Sequence, residues 1–270
     1  MESSHKTKKL FFKDAMVAVC DILGFKNVLY SQPLEDIVKF GFGYLRKAIY
    51  YCLHQKNLPE HEPTFDDFQA QDRVGIAWFS DSILLYSLED NEDGYRDLIE
   101  TSAWLINSTI TRPDLRFRVG VSHGQVFIDP KNHIYLGRAI SEAYELQSRQ
   151  EWSGGALTVN AGAKIPQHVK DTNFPHPWHL VKYYVPLKAT KRNGITILEK
   201  GKPVQDKLII VAYPQLAIDW TRFLHTSFRM DWSEERTEPL PDEAPIDVIT
   251  KWKNTLKFHN KVCAFCKKKT

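Results

Sequence analysis

Cysteine is scarce in this chain, with four in 270 residues. Cys20 and Cys52 fall on apolar faces and read as buried thiols, so no disulfide framework is written into the sequence. Cys263 and Cys266 make a single CxxC with His259 four residues upstream. Structural zinc sites pair two such motifs, so this one reads as an unligated tail. Long apolar runs are missing too. None approaches the roughly 18 residues that cross a bilayer, and Met1–Leu10 is polar and basic, unlike a secretory leader. These absences exclude membrane insertion and predict a cytoplasmic protein. Charge of one sign is also lacking: 36 basic against 33 acidic residues leave a net charge of +3. That is too mild to argue nucleic-acid binding, and Lys6, Lys8, Lys9 and Lys267–Lys269 read as solvated ends. Internal repeats and low-complexity blocks are absent. Among the histidines, no pair of His123, His133, His168, His176 and His179 has helical ligand spacing beside an acid, so none is assigned a metal.

What is present is a globular composition, 43% hydrophobic and 26% charged, with length enough for a full core. The stretch Val17–Phe25 organises it. Ala15–Cys20 is apolar without alternation, as a strand covered on both faces would be. Asp21 closes the run. A carboxylate there is costly to bury unless a positive partner meets it; a divalent cation is one such partner, and capping the next helix is the other reading. Gly24 lets the backbone turn closely past a ligand, and the N–H groups that follow, from Phe25 on, can cradle phosphate at a helix start.

A second acid follows the same logic. Val74–Phe79 and Ile83–Leu88 are β-rich and separated by Ser80, Asp81 and Ser82, which predicts a hairpin with Asp81 near its tip; ordinary turn chemistry accounts for the same residues. If both elements share a sheet, Asp21 and Asp81 can hold one pair of metal ions against a triphosphate. Between them, apolar spacing predicts a helix over 34–55 and a loop over 57–72. A second helix carries Leu98, Ile99, Ala103, Ile106 and Ile110 and stops at Pro113. Arg116–Val121 reads as a strand with Gly124–Ile128 as its hairpin partner. The order strand–helix–strand–strand–helix–strand is the split βαβ of ferredoxin-like α+β domains, with the first strand and the hairpin's first strand paired near the centre. A third helix starts at Gly137. Short strands are predicted at Ala156–Val159 after the Gly154–Gly155 break, then around Leu180–Val185, Ile195–Leu198 and Leu208–Ala212. An acidic, proline-bearing connection over Ser233–Pro245 leads to a closing basic helix over about 246–262.

In this order the elements resemble the class III nucleotidyl cyclase catalytic domain, most closely the bacterial pyrimidine (uridylate and cytidylate) cyclases of Pycsar anti-phage defence. Residues 15–213 carry the likeness. Asp21-Ile-Leu-Gly-Phe25 resembles the family's first metal-acid motif and Phe79-Ser-Asp-Ser82 its second. Arg118-Val-Gly-Val-Ser-His-Gly-Gln-Val126 resembles the next hairpin, and Leu136-Gly-Arg-Ala-Ile-Ser-Glu-Ala143 the following helix. The resemblance implies a polar tail over 1–14, a catalytic domain over 15–232 and a linker with a basic helical extension over 233–270. It implies two Mg²⁺ or Mn²⁺ ions at Asp21 and Asp81, with Ile22 in the metal set, and a ribose 3′-hydroxyl that attacks the α-phosphorus and expels pyrophosphate. It also implies a head-to-tail homodimer with sites at the interface, metals and remaining groups coming from opposite chains.

Departures from the family narrow the reading. Its transition-state Asn and Arg fall four and eight residues beyond the helix glycine, where this chain has Ser141 and Glu145. Ser141 can still hydrogen-bond; Glu145 cannot replace a cation, which leaves Arg149, one turn along, or Arg138. Lys188 lies where relatives bind triphosphate. The purine-reading positions hold Ala77 and Ile134, neither able to pair with a purine edge, and Trp78 or Tyr50 can shorten the pocket to pyrimidine size. The expected activity is conversion of UTP to cyclic UMP, with cyclic CMP as the alternative, the product being read by a separate effector that disrupts membranes or degrades NAD. An inactive nucleotide-binding or dimerisation module is the reading of another class.

Overall fold

A computed structural model describes residues 11–53, 63, 74–110, 112, 115–171, 178–188, 198–199, 202–203, 209–210, 215–221 and 246–267. The apolar run becomes β1 (Phe11–Ile22). Gly24, with φ of 74°, turns the chain into α1 (Phe25–Ser31). After Pro33 the chain continues as α2 (Leu34–Asp36), a π-helical turn (Ile37–Phe42) and α3 (Gly43–Leu53). So the helix expected from 34 is present, with a widened turn in it. The 57–72 loop lies outside the described residues except for Pro63.

Next come the hairpin β2 (Val74–Phe79) and β3 (Ser82–Ser87), joined by Ser80 and Asp81, then α4 (Glu92–Thr109), capped by Asn91. β4 (Phe117–Asp129), β5 (Ile134–Gly137), α5 (Arg138–Arg149) and β6 (Gly154–Leu157) follow. Two short helices, α6 (Val159–Lys164) and α7 (Gln167–Asp171), precede β7 (Leu180–Tyr183). The two-residue strands β8 (Pro186–Leu187), β9 (Leu198–Glu199), β10 (Lys202–Pro203) and β11 (Ile209–Ile210) lead to β12 (Gln215–Ile218) and the last helix, α8 (Ile246–Lys267).

The main sheet runs β2-β3-β1-β4-β6-β12-β7, with β5 paired to β4. Its first four strands have the ferredoxin-like order. β1 lies between β3 and β4, so its hairpin partner is the second strand and not the first; β2 is the edge. Alternate residues of β1 serve two cores. Met16, Ala18, Cys20 and Ile22 pack with Leu98, Ile99 and Ile106 of α4, while Ala15, Val17 and Val19 pack with Ala139 and Ala143 of α5. That two-sided burial is why the run shows no alternation.

Three more expectations are corrected. Arg116–Val121 and Gly124–Ile128 are one strand, because β1 pairs with β4 along its full length, from Phe11↔Ile128 to Ile22↔Phe117. Ser122, His123 and Gly124 look like turn residues but face Val17, Met16 and Ala15 across the ladder. The turn comes after β4, where His133 takes φ of 55°. The Gly154–Gly155 break belongs to β6: a Cβ on Gly155 would lie 2.5 Å from the Ile218 side chain, and one on Gly154 2.7 Å from the Trp152 ring. Val159 begins a helix, because the Thr158 hydroxyl accepts from Ala161 N at 3.3 Å.

The closing helix is docked into the core. Phe258 is fully buried edge-on to Trp152 (4.7 Å between centroids) and Tyr183 (4.8 Å). Asn254 Nδ2 donates to the Glu151 carbonyl (2.9 Å), and Thr255 Oγ1 accepts from Ser153 N (2.8 Å). No described helix is long and apolar enough to cross a membrane.

Candidate active site

Asp21 lies at the C-terminal end of the central strand, opposite Ser82 on β3 and Arg118 on β4. Asp81, the last residue of the β2–β3 turn, is its neighbour: Ile22 N donates to the Asp81 carbonyl oxygen at 3.2 Å. Thus backbone pairing brings two residues 60 apart in sequence next to each other at the C-terminal end of β1.

The Asp21 carboxylate is held by three groups. Oδ2 accepts from Arg118 Nη2 and from Gln147 Nε2, both at 2.9 Å, and Ser82 Oγ donates to Oδ1 at 3.3 Å. With side-chain exposures of 21% for Asp21 and 13% for Arg118, the pair is shielded yet open to a ligand. Gln147 reaches the strand because α5 lies close on Gly120: a Cβ there would meet Ala143 O at 2.1 Å and Gln147 N at 2.7 Å. Arg118 Nη1 and Lys188 Nζ both point to the Ser148 carbonyl, each at 3.4 Å. Lys188 also pairs with Glu151 at 3.5 Å, and Lys188 N donates to the Arg149 carbonyl at 2.7 Å. The C-terminal end of α5 therefore gathers Arg118 and Lys188 at the Ser148 carbonyl, with Arg118 also on Asp21, within one chain.

Arg118 and Gln147 are the functional candidates that sequence reasoning passed over. A signal existed for each. Arg118 is the only lysine or arginine in β4, and Gln147, 1% exposed, lies on the buried face of α5 with Ala139, Ala143 and Leu146.

The other candidates spread over two regions. Ile22 and Phe25 are buried (2% and 6% exposed), and Gly24 forms the positive-φ turn between them. Trp78 stacks on Phe42 (5.2 Å, 18°), and its indole N–H donates to the Ser80 carbonyl. Ala77 is half-buried in β2, and Tyr50 is half-buried against the main core. Arg149 is 3.9 Å from Glu145. Farther off, at the N-terminal end of α5, Arg138 pairs with Glu142 at 2.9 Å and the exposed Ser141 donates to the Gly137 carbonyl at 3.5 Å. Ile134 is 41% exposed on β5. Arg138 and Arg149 lie eleven residues apart on one helix, about 16 Å at 1.5 Å per residue. One chain therefore does not bring Arg138, Ser141 and Ile134 to Asp21.

Divalent cations of the Mg²⁺ type take oxygen donors and keep several waters. The Asp21 carboxylate, with Asp81 and the Ile22 backbone neighbouring it at the end of β1, offers oxygen donors that fit that chemistry. Among the described residues no group of three or more His, Cys, Asp or Glu forms a self-sufficient cage, so substrate phosphates would complete the shell. Cys20 is fully buried, and burial together with neighbouring Asp21 pushes its thiol far up, leaving it inert. Cys52, Cys263 and Cys266 lie outside the described side chains. His123 joins a buried network in which its Nε2 lies 2.7 Å from Asp90 Oδ1, to which the Tyr95 hydroxyl also donates.

Glu142 knits α5 to the sheet. Its carboxylate accepts from Ser122 Oγ (2.9 Å), Asn160 Nδ2 (3.0 Å) and Arg138 Nε (2.9 Å). Burial alone would raise its pKa, but these hydrogen bonds and the Arg138 charge outweigh it and hold the carboxyl below its ordinary value. A depressed folded pKa gives stabilisation that is complete above the unfolded value of 4.5 and is lost as pH falls through the folded one. Glu142→Gln should therefore melt below the parent at neutral pH, with the gap closing as pH falls below 4.5. Thermal melts across the acid range check this; a gap independent of pH would contradict it.

Set against known proteins, the chain matches no family model and no curated protein. Among solved structures it is similar to the catalytic core of a rhodopsin-guanylyl cyclase with converted specificity (13% identity, 77% of this chain and 97% of that one, TM-score 0.46). It is likewise similar to the guanylyl cyclase Cya2 (12% identity, 77% and 92%, TM-score 0.42). A third is the adenylate/guanylate cyclase/hydrolase from Silicibacter pomeroyi (12% identity, 77% and 96%, TM-score 0.44).

Proposed function

We propose that this chain is a metal-dependent nucleotidyl cyclase of the class III type acting on a pyrimidine nucleoside triphosphate. The observation that carries the reading is the backbone pairing that puts Asp81 next to the end of β1 that carries Asp21, with Arg118 on the Asp21 carboxylate. Asp21, Asp81 and the Ile22 carbonyl would hold Mg²⁺ or Mn²⁺, which neutralises triphosphate charge and lowers the pKa of a bound hydroxyl. Arg118 would then exchange Asp21 for phosphate oxygens, with Lys188 beside it. The ribose 3′-oxygen bonds to the α-phosphorus, the bond to the β-phosphate oxygen breaks, the hydroxyl proton passes to solvent and pyrophosphate leaves. The protein's part is positioning and charge stabilisation.

Arg138, Ser141 and Ile134 can reach such a nucleotide only from a second copy. Ile134, Leu136 and Tyr144 are 41%, 61% and 60% exposed around that end of α5, which suits burial in a head-to-tail homodimer. Ala77 and Ile134 offer a base no hydrogen bond, and the Trp78 indole N–H is already committed to Ser80. A pyrimidine, UTP ahead of CTP, is the proposed substrate, the preference between the two following the family resemblance. Cyclic UMP would serve as a messenger in anti-phage defence, read by a separate effector.

A second reading, an inactive nucleotide-binding or dimerisation module, is favoured by one observation. Asp21 Oδ2 already accepts from both Arg118 and Gln147, a neutralised state that needs no metal. The test is to incubate purified protein with each of the four ribonucleoside triphosphates and Mn²⁺, with a chelator control, and to separate the products. Cyclic UMP and pyrophosphate from UTP are expected. Consumption of ATP or GTP instead would overturn the pyrimidine assignment, and no product from any of the four would favour the inactive module.

A further inference from the structure

The groups that hold the Asp21 carboxylate are not equivalent. Arg118 Nη2 and Gln147 Nε2 share Oδ2, each at 2.9 Å, whereas Oδ1 takes the longer bond from Ser82 Oγ, at 3.3 Å. Arg118 has other acceptors in reach, the Ser148 and Gln150 carbonyls at 3.4 and 3.5 Å, so its guanidinium can leave Oδ2 without being stranded. Gln147 has no such freedom. It is 1% exposed, and its backbone is pressed against β4: a Cβ on Gly120 would lie 2.7 Å from Gln147 N and 3.0 Å from Gln147 Cβ. An amide that let go of Asp21 there would have no water to turn to.

We infer that Gln147 is a positioning residue for the metal: it keeps Oδ2 of Asp21 while a divalent cation takes Oδ1, and so limits the carboxylate to one metal bond. The inference rests on the metal-site reading of Asp21. It adds which oxygen ligates, which residue holds the other, and which cations are favoured. A donor on the outer oxygen of a ligating carboxylate fixes its orientation. The donor here is a neutral amide, which orients the acid without repelling a dication as the Arg118 charge does. Mg²⁺ demands near-octahedral geometry with one bond per carboxylate, whereas Ca²⁺ accepts carboxylates through both oxygens. Withholding Oδ2 therefore removes a ligand from Ca²⁺ and none from the smaller ions.

Metal binding to the full chain without nucleotide tests this, so that turnover plays no part. Mn²⁺ is followed by the electron paramagnetic resonance signal of the free ion, and Ca²⁺ by competition against bound Mn²⁺. The parent should bind Mn²⁺ and Asp21→Asn should not. Gln147→Met, similar in size but without a donor, and Gln147→Asn, one methylene short, should each weaken Mn²⁺ by about 10-fold or more. Ca²⁺ should weaken less, narrowing the preference for Mn²⁺. A variant that merely disturbed the end of β1 would lower both affinities alike. Thermal melts establish that the variants are folded. The parent gives a further reading that needs no variant: by nuclear magnetic resonance, the Gln147 side-chain amide protons should stay in slow exchange with water when Mg²⁺ is bound. Parental Mn²⁺ affinity in both variants, an unchanged ratio of Mn²⁺ to Ca²⁺ affinity, or free exchange of those protons with Mg²⁺ bound would each overturn the role of Gln147 alone. Absence of Mn²⁺ binding in the parent, or binding that survives in Asp21→Asn, would overturn the metal-site reading of Asp21 and this inference with it.

Discussion

Asp21→Asn is expected to cut cyclic-nucleotide formation by about 10³-fold or more while leaving the protein folded. The two halves of that expectation come from different interactions. Asparagine keeps an oxygen that can accept from Gln147 or Arg118, so the polar contacts of α5 with β1 survive in part. What disappears is the charge. A charge-assisted hydrogen bond contributes about 1.5–3 kcal/mol against about 1 for a neutral one, so the stability loss should stay near 1–2 kcal/mol. In a chain of this length that is a few degrees of melting temperature. Catalysis is hit harder, because a neutral amide is a poor ligand for a hard dication, and a 10³-fold loss corresponds to about 4 kcal/mol of transition-state stabilisation. Rates with UTP and Mn²⁺, beside thermal melts, check both halves. Near-parental turnover in a folded variant would remove Asp21 from the metal site.

The same ion pair explains how a single chain can rest with an acid at its sheet edge. A half-buried carboxylate needs a counter-charge, and Arg118 supplies one at 2.9 Å. On the proposed reading, a cation binding at Asp21 would compete with that guanidinium and free it for the phosphates the cation brings. On this account Arg118 serves both states, neutralising the acid without substrate and the triphosphate with it.

How far the sequence announced this depends on the range over which each feature is decided. β1 was legible because burial on both faces leaves an unbroken apolar run, and the hairpin at Asp81 because two β-rich stretches flank a short polar turn. α5 was legible from its apolar spacing. The failures lie where a partner distant in sequence overrides local chemistry. Ser122, His123 and Gly124 carry turn residues, yet twelve residues of β1 pair across them and hold them extended. Gly154 and Gly155 look like a break, yet they are small so that Trp152 and Ile218 can fit. The Asp21–Arg118 pair joins residues 97 apart and appears only once the β1–β4 register is known. Likewise, only the fold reveals that Arg118 and Lys188 converge on the Ser148 carbonyl while Arg138 pairs with Glu142 toward the other end of α5.

Gly120→Ala should be strongly destabilising, and it should disable the site without touching a functional side chain. The added methyl carbon would lie 2.1 Å from the Ala143 carbonyl oxygen and 2.7 Å from Gln147 N. Both are backbone atoms of α5, so no rotamer change can relieve the clash and the helix must lift from the sheet. Overpacking of this kind costs about 1–3 kcal/mol when side chains can adjust, and the rigid obstacle here puts the expected cost at the upper end or above it. At about 2–4 °C per kcal/mol, the melting temperature should fall by roughly 6–12 °C. The lift also draws Gln147 away from Asp21 and shifts the Ser148 carbonyl that gathers Arg118 and Lys188. Nucleotide turnover should therefore drop at temperatures where the variant is still folded. Paired melting curves and rates at low temperature separate the two effects. A Gly120→Ala protein with parental stability would show that α5 does not rest on β4 as described.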